Sequence, residues 1–149
     1  MKNKYKILFS LKRCIGCHSC EIHCTVKNDL PPGVSFCSLT SSPPKRVNGM
    51  LRVKFSFKIC YHCKEPKCAS ACPESAIEKR ARDGLVLVNE SLCNGCQMCM
   101  TACPWQVFQW NEEKSIVFKC NYCLDRLEEG LKPACVAGCT TDALKLEVR

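Results

Sequence analysis

No apolar run in this 149-residue chain approaches the length of a membrane span. The start reads Met-Lys-Asn-Lys-Tyr-Lys and then only a mixed apolar stretch over residues 7–11. That is too short for the core of a secretory leader, and no twin-arginine pair is present. These absences predict a cytoplasmic protein with no direct membrane insertion, with the proviso that a partner carrying a signal can export such a chain. Aromatic residues make up 7% of the sequence, so the interior cannot be built mainly from large rings. No phosphate-cradling glycine loop occurs. Glu74, Glu78 and Asp83 form no evident acid/base pair, which removes the common hydrolytic chemistries. At this length there is room for one compact domain or two small halves.

What is abundant is cysteine. Sixteen of seventeen fall into four groups, each ending in Cys-x3-Cys. Group one is Cys14, Cys17, Cys20 and Cys24. Group two is Cys60, Cys63, Cys68 and Cys72. Group three is Cys93, Cys96, Cys99 and Cys103. Group four is Cys120, Cys123, Cys135 and Cys139. A 4Fe–4S cube has four irons, and each takes one thiolate. Three cysteines two residues apart can wrap three corners of a cube, and Gly16 and Gly95 ease that wrap. Backbone N–H groups of such a loop can point at the sulfurs and stabilise their charge. The fourth cysteine falls four positions on, where a short helix is expected. In the bacterial run ending Cys-Pro this cysteine ligates the other cluster of a two-cluster unit. Group three, ending Cys103-Pro104, matches that run. Group two ends Cys72-Pro73 with two extra residues before Cys68. Groups one and four carry Thr25 and Thr140 instead of proline.

Other uses of cysteine fit less well. Structural zinc takes two Cys-x2-Cys pairs or mixes them with histidine, and does not require four such repeats. A disulfide framework needs an oxidising compartment. Redox dithiols need one or two pairs. All sixteen grouped cysteines are therefore assigned as ligands of four 4Fe–4S clusters, the cofactors of the chain. Cys37 is left over and is expected to be an uninvolved thiol, since the clusters are complete without it. His18, His23 and His62 lie inside ligand loops and are read as packing or hydrogen-bonding groups. Tyr61, Trp105, Trp110 and Tyr122 flank ligands and are expected to shield clusters from water. No catalytic residue is assigned.

The formal charge is +8, which by itself suggests an anionic partner. Four oxidised cubes with their thiolates contribute about −8, so nucleic acid is not expected as a partner. Arg13, Lys58, Lys64, Lys67 and Lys119 stand close to the loops and can offset cluster charge, although any single one of them reads first as an ordinary solvated surface charge.

The tails after groups two, three and four repeat: Cys72-Pro-Glu-Ser-Ala-Ile, Cys103-Pro-Trp-Gln-Val-Phe, Cys139-Thr-Thr-Asp-Ala-Leu. Residues 76–79 and 85–88 flank Asp83-Gly84 and predict a hairpin, as do residues 107–110 and 116–119. The end, 143–148, alternates like a strand, with residues 5–11 as its partner. Residues 124–129 read as a helical turn closed by Gly130, and Pro133 opens the next helix. Residues 28–49, rich in proline and glycine, read as a loop-rich insertion that covers a cluster or docks a partner, or equally as a passive surface loop.

These groups and hairpins, with Asn28-Asp29-Leu30-Pro31-Pro32-Gly33-Val34 after group one, resemble a known family. It is that of the four-cluster iron–sulfur subunits of DMSO-reductase-type molybdopterin oxidoreductases. Similar small subunits accompany tungsten aldehyde oxidoreductases and formate dehydrogenases. The likeness covers nearly the whole chain. It implies an α+β fold of two ferredoxin-like halves with short β-hairpins and short helices, built around clusters. The inner half would be about 50–119, and the outer half 1–27 plus 120–149. It also implies shared ligands: Cys60, Cys63, Cys68 with Cys103; Cys93, Cys96, Cys99 with Cys72; Cys14, Cys17, Cys20 with Cys139; Cys120, Cys123, Cys135 with Cys24. The implied role is non-catalytic electron transfer between a large molybdenum or tungsten pterin subunit and a soluble ferredoxin or further redox subunit. Alternatives are a free polyferredoxin, or a subunit of a hydrogenase or carbon monoxide dehydrogenase system. More distant is a zinc-stabilised binding module.

Overall fold

The computed structural model describes residues 4–149. The basic start of the chain, residues 1–3, on which part of the leader reading rests, lies outside the described residues. The described residues form a small α+β fold, with ten short strands in five two-stranded antiparallel sheets and five short α-helices.

Strand β1 (Tyr5–Phe9) pairs with β10 (Leu144–Val148), Tyr5 opposite Val148 and Phe9 opposite Leu144. The two ends of the chain are thereby joined, as the alternating residues predict. Alternation decides the inward face of β1: Ile7 is buried between exposed Lys6 and Leu8. The hairpins also form where expected. Strand β6 (Ile77–Lys79) pairs with β7 (Val86–Val88), and β8 (Gln109–Asn111) with β9 (Ile116–Phe118).

The segment read as loop-rich is more ordered than that reading. It contains β2 (Cys37–Ser41), which pairs with β5 (Phe55–Ile59), and β3 (Lys45–Val47), which pairs with β4 (Met50–Arg52). The prolines and glycines fall in the connections, while Cys37 and Leu39 face inward from β2.

The helices differ from expectation in where they stop. Helix α1 (Ser19–Asn28) holds Cys20 and Cys24 on one buried face, four residues apart. In α2 (Lys67–Ser70), α3 (Met98–Ala102) and α5 (Ala134–Ala137) the helix carries the third cysteine of its group. The fourth falls just beyond the end. Pro73 and Pro104 account for two of these stops, because a residue before proline is driven out of the helical region. Cys103 accordingly has an extended backbone. Group one has Thr25 there, and its helix runs on. Helix α4 (Leu124–Glu128) ends before Gly130, and α5 follows Pro133, as read from the sequence.

Helix α1 packs on α5, and α2 on α3. The first pair is close: a methyl group added at Gly138 would lie 2.1 Å from the His23 ring. Between the elements the core mixes Ile7, Leu39, Phe57, Leu85, Val117 and Leu144 with buried cysteines. Among the described residues no helix is long and apolar enough to cross a membrane.

Candidate metal centres

All seventeen cysteines are free thiols. Their loops are shaped by one recurring backbone feature. The second residue after the first cysteine of each group is left-handed: Gly16, His62, Gly95 and Tyr122. Each turn therefore curls the same way round the next cysteine. The third residue after Cys72, Cys103 and Cys139 is also left-handed: Ser75, Gln106 and Asp142, with φ of 51°, 49° and 51°. The backbone N–H of each returns to the carbonyl of its cysteine. The repeat seen in the tails is thus a repeat of conformation.

Amide groups point at sulfur. The N–H of Ala76 donates to Cys72 Sγ at 3.3 Å, Tyr122 to Cys120 Sγ at 3.3 Å, Ala134 to Cys123 Sγ at 3.5 Å and Leu144 to Cys139 Sγ at 3.4 Å. Asn28 Nδ2 reaches Cys24 Sγ at 3.7 Å. Such donors stabilise negative charge on a thiolate. Cys17 is held below the ordinary thiol range by the Ser19 N–H and the Thr140 hydroxyl, and its Sγ lies 3.6 Å from Thr140 Oγ1.

The groups interleave in space. Cys72 lines one small cavity of about 10 Å³ with Cys93, Cys96, Cys99 and Val117. Cys99 is pushed up to about 11 by burial first, then by the negative charge of Cys72 and Cys93. Cys68 is raised by burial and by Cys60 and Cys103. Beside these, the Tyr61 and Trp105 rings meet edge to face at 4.9 Å, tying the group-two loop to the residues after Cys103. Cys20 rises to about 11 through burial and Glu21, with a further contribution from Cys139. Cys123 and Cys135 are raised by burial and then by Cys24.

Packing links one group to the next. The α1–α5 contact joins group one to group four, the His62–Tyr122 ring contact joins group four to group two, and the α2–α3 contact joins group two to group three. The groups therefore stand in the order one, four, two, three. Cys17 and Cys96, at the two ends of that series, are the exposed cysteines. At its middle the His62 and Tyr122 rings, which occupy equivalent loop positions, meet at 4.2 Å and are both buried.

The donors fit cubane clusters. Among the described residues no three Cys, His, Asp or Glu side chains converge closely enough to hold a single metal ion. A cube takes one thiolate per iron at separated corners and needs no such convergence. Buried thiols with raised pKa keep their protons until iron displaces them, so loading releases protons.

The histidines have other work. His18 pairs with Glu21, the His23 ring covers Gly138, and His62 Nδ1 accepts the Val86 N–H at 2.9 Å. Of the expected shielding rings, Tyr122 is buried and Trp110 half-buried, while Tyr61 and Trp105 are largely exposed. Cys37 is not remote from the centres. Strand β2 buries it against Cys24, whose thiol it holds low by hydrogen bonding, and its own thiol is pushed up by that pairing and by burial. Lys79 is a residue that motif spacing does not single out. Its Nζ donates to the carbonyls of Cys63 at 2.7 Å and Lys64 at 3.2 Å. Its place in β6, opposite Val86, is the available signal.

Comparison with known proteins gives a consistent set of relatives. The family described as a 4Fe-4S dicluster domain matches residues 51–149, which hold groups two, three and four. The chain is 41% identical over 147 residues to the thiosulfate reductase electron transfer subunit of Salmonella typhi, covering 97% of this chain and 76% of that one. It is 38% identical over 151 residues to the B subunit of the anaerobic dimethyl sulfoxide reductase of Escherichia coli (strain K12), covering 97% and 73%. It is 38% identical over 146 residues to the B subunit of the polysulfide reductase of Wolinella succinogenes, covering 97% and 76%.

Proposed function

The chain belongs to the family of iron–sulfur electron-transfer subunits of DMSO-reductase-type molybdopterin oxidoreductases, and from that membership we propose how its residues serve the role. Four 4Fe–4S clusters are bound by Cys14, Cys17, Cys20 and Cys139; by Cys120, Cys123, Cys135 and Cys24; by Cys60, Cys63, Cys68 and Cys103; and by Cys93, Cys96, Cys99 and Cys72. When bound, each cluster supplies a one-electron station. The observation that carries this reading is the serial packing of the four cysteine groups, with exposed Cys17 and Cys96 at its ends.

Two ferredoxin-like halves are part of the proposal. The α2–α3 contact supports an inner half of about 50–119. The β1–β10 and α1–α5 contacts support an outer half of 1–27 plus 120–149. The chain's own residues orient thiolates, donate N–H groups to sulfur and exclude water from the middle of the series. Loading needs reduced thiols, which supports assembly in the cytoplasm.

Each end has the surface that a partner needs. Ile15 and Ile22 are exposed near Cys17, and Leu92 and Met98 near Cys96. We assign one end to a large molybdenum or tungsten pterin subunit and the other to a soluble carrier or further redox subunit. Isolation from native extract tests this assignment. Co-purification with a large pterin-containing subunit at fixed stoichiometry is expected. Recovery of the chain alone, fully loaded, would mean a free polyferredoxin.

A further inference from the structure

Lys119 is the only lysine or arginine that is fully buried among the described residues, at 6% exposure. Its Nζ donates to the carbonyl of Val86 and, at 3.1 Å, to that of Cys120. Neither partner is a carboxylate, and a buried ammonium without a counter-charge is costly. The geometry says where the counter-charge lies. Val86 is held from both sides: its carbonyl takes Lys119, and its N–H donates to His62 Nδ1 inside the Cys60–Cys63 turn. Lys79, directly opposite Val86 in the hairpin, donates to the carbonyls of Cys63 and Lys64. Lys79 of the β6–β7 hairpin thus sits on the group-two loop, while Lys119 lies between that loop, where its charge is felt at Cys68, and the Cys120 carbonyl of group four. The group-two loop bears exposed Lys64, Glu65 and Lys67 besides.

On the group-two loop Glu65 stands among Lys64, Lys67 and Lys79, whereas the other loops have carboxylates closer to balance. Glu21 lies beside Cys20 in α1, Glu74 accepts from Asn94 at 3.0 Å in the group-three loop, and Asp125 follows Cys123 and pairs with Lys27. A fixed positive charge favours the more negative, reduced state of a nearby cluster. We propose that Lys119 is a potential-setting residue, and that it makes the station held by Cys60, Cys63, Cys68 and Cys103 the first of the four to be reduced. An interior station is then the electron well of the series, and both ends feed it. The inference rests on the ligand sets proposed above.

Redox titration of the full, cluster-loaded chain, followed by EPR, tests it in wild type, Cys63→Ser, Lys119→Gln and Lys119→Arg. The signal lost or altered in Cys63→Ser is expected to be the first to develop in wild type. Lys119→Gln should shift the reduced-to-oxidised ratio of that signal at least tenfold toward oxidised, about 59 mV downward for a one-electron couple, and the others less. Lys119→Arg should keep the wild-type order. The inference fails if the Cys63-dependent signal is not first, if Lys119→Gln leaves its midpoint in place, or if Lys119→Arg shifts it equally. Where Lys119→Gln does not load, the order of signals in wild type against Cys63→Ser decides. Fewer than four cubanes in wild type would instead overturn the ligand sets themselves.

Discussion

Gly95 is the ligand-loop glycine that faces a backbone atom at close range. Its φ is +75°, and an added Cβ would stand 2.4 Å from the Ser115 carbonyl oxygen. Gly16 holds the same place in group one at φ +71°, but there the obstacle is the Phe55 ring, 2.5 Å away. Left-handed backbone costs an L-residue about 1–2 kcal/mol in both. A ring can swing aside, whereas a backbone carbonyl cannot move without its strand. Gly95→Ala should therefore lower the melting temperature and the iron content more than Gly16→Ala. Equal losses in the two variants would contradict the account of the loop. The glycines are legible in sequence because they fall between ligands. The equivalent strain at His62 and Tyr122 is not, since only tertiary burial of their rings holds those residues left-handed. The contact made by Cys37 is hidden for a related reason: its neighbour Cys24 is reached only through the packing of α1 on β2.

At the scale of elements, hairpins with a local turn signal are readable and distant pairings are not. Asp83-Gly84 announces β6–β7, and its register follows. Strands β2 and β5 are separated by a second hairpin, so no short turn links them. Their alternation, with Cys37 and Leu39 inward and Phe57 and Ile59 opposite, is present but masked by the surrounding prolines. The hairpin between them, β3–β4, has every strand residue exposed, including Met50 and Leu51. It adds nothing to the core, and an isolated hairpin is marginal by itself. Replacing residues 45–52 with a short glycine–serine turn should leave iron content and melting temperature unchanged within error. A fall in either would mean that the hairpin supports the cluster fold.

For the whole molecule, charge and burial lead to the same conclusion. The excess of +8 reads as a counterweight for clusters, and Lys119 is where that counterweight is buried. Folding and loading are expected to be one event, because the unfolded chain has no preformed site, and burial raises thiols such as Cys20, Cys99 and Cys120, so iron displaces their protons on loading. The loaded state binds fewer protons than the apo state, so acid favours the apo state and rising pH favours loading. Lowering pH under anaerobic conditions should release iron and abolish the circular dichroism of the fold together. Chelation at neutral pH should do the same. Retention of native secondary structure after complete iron removal would show that side chains, rather than clusters, carry the core.

Most of the candidate site is visible as a pattern of cysteines, since ligand spacing is local. Its serial order is not, because that order is set by contacts such as that of the His62 ring with the Tyr122 ring, which no short motif encodes. The most direct measurement is metal and acid-labile sulfide per chain on anaerobically isolated protein. The account predicts about sixteen irons and about sixteen sulfides per chain, without zinc. Fewer than about twelve irons, or zinc in their place, would contradict it.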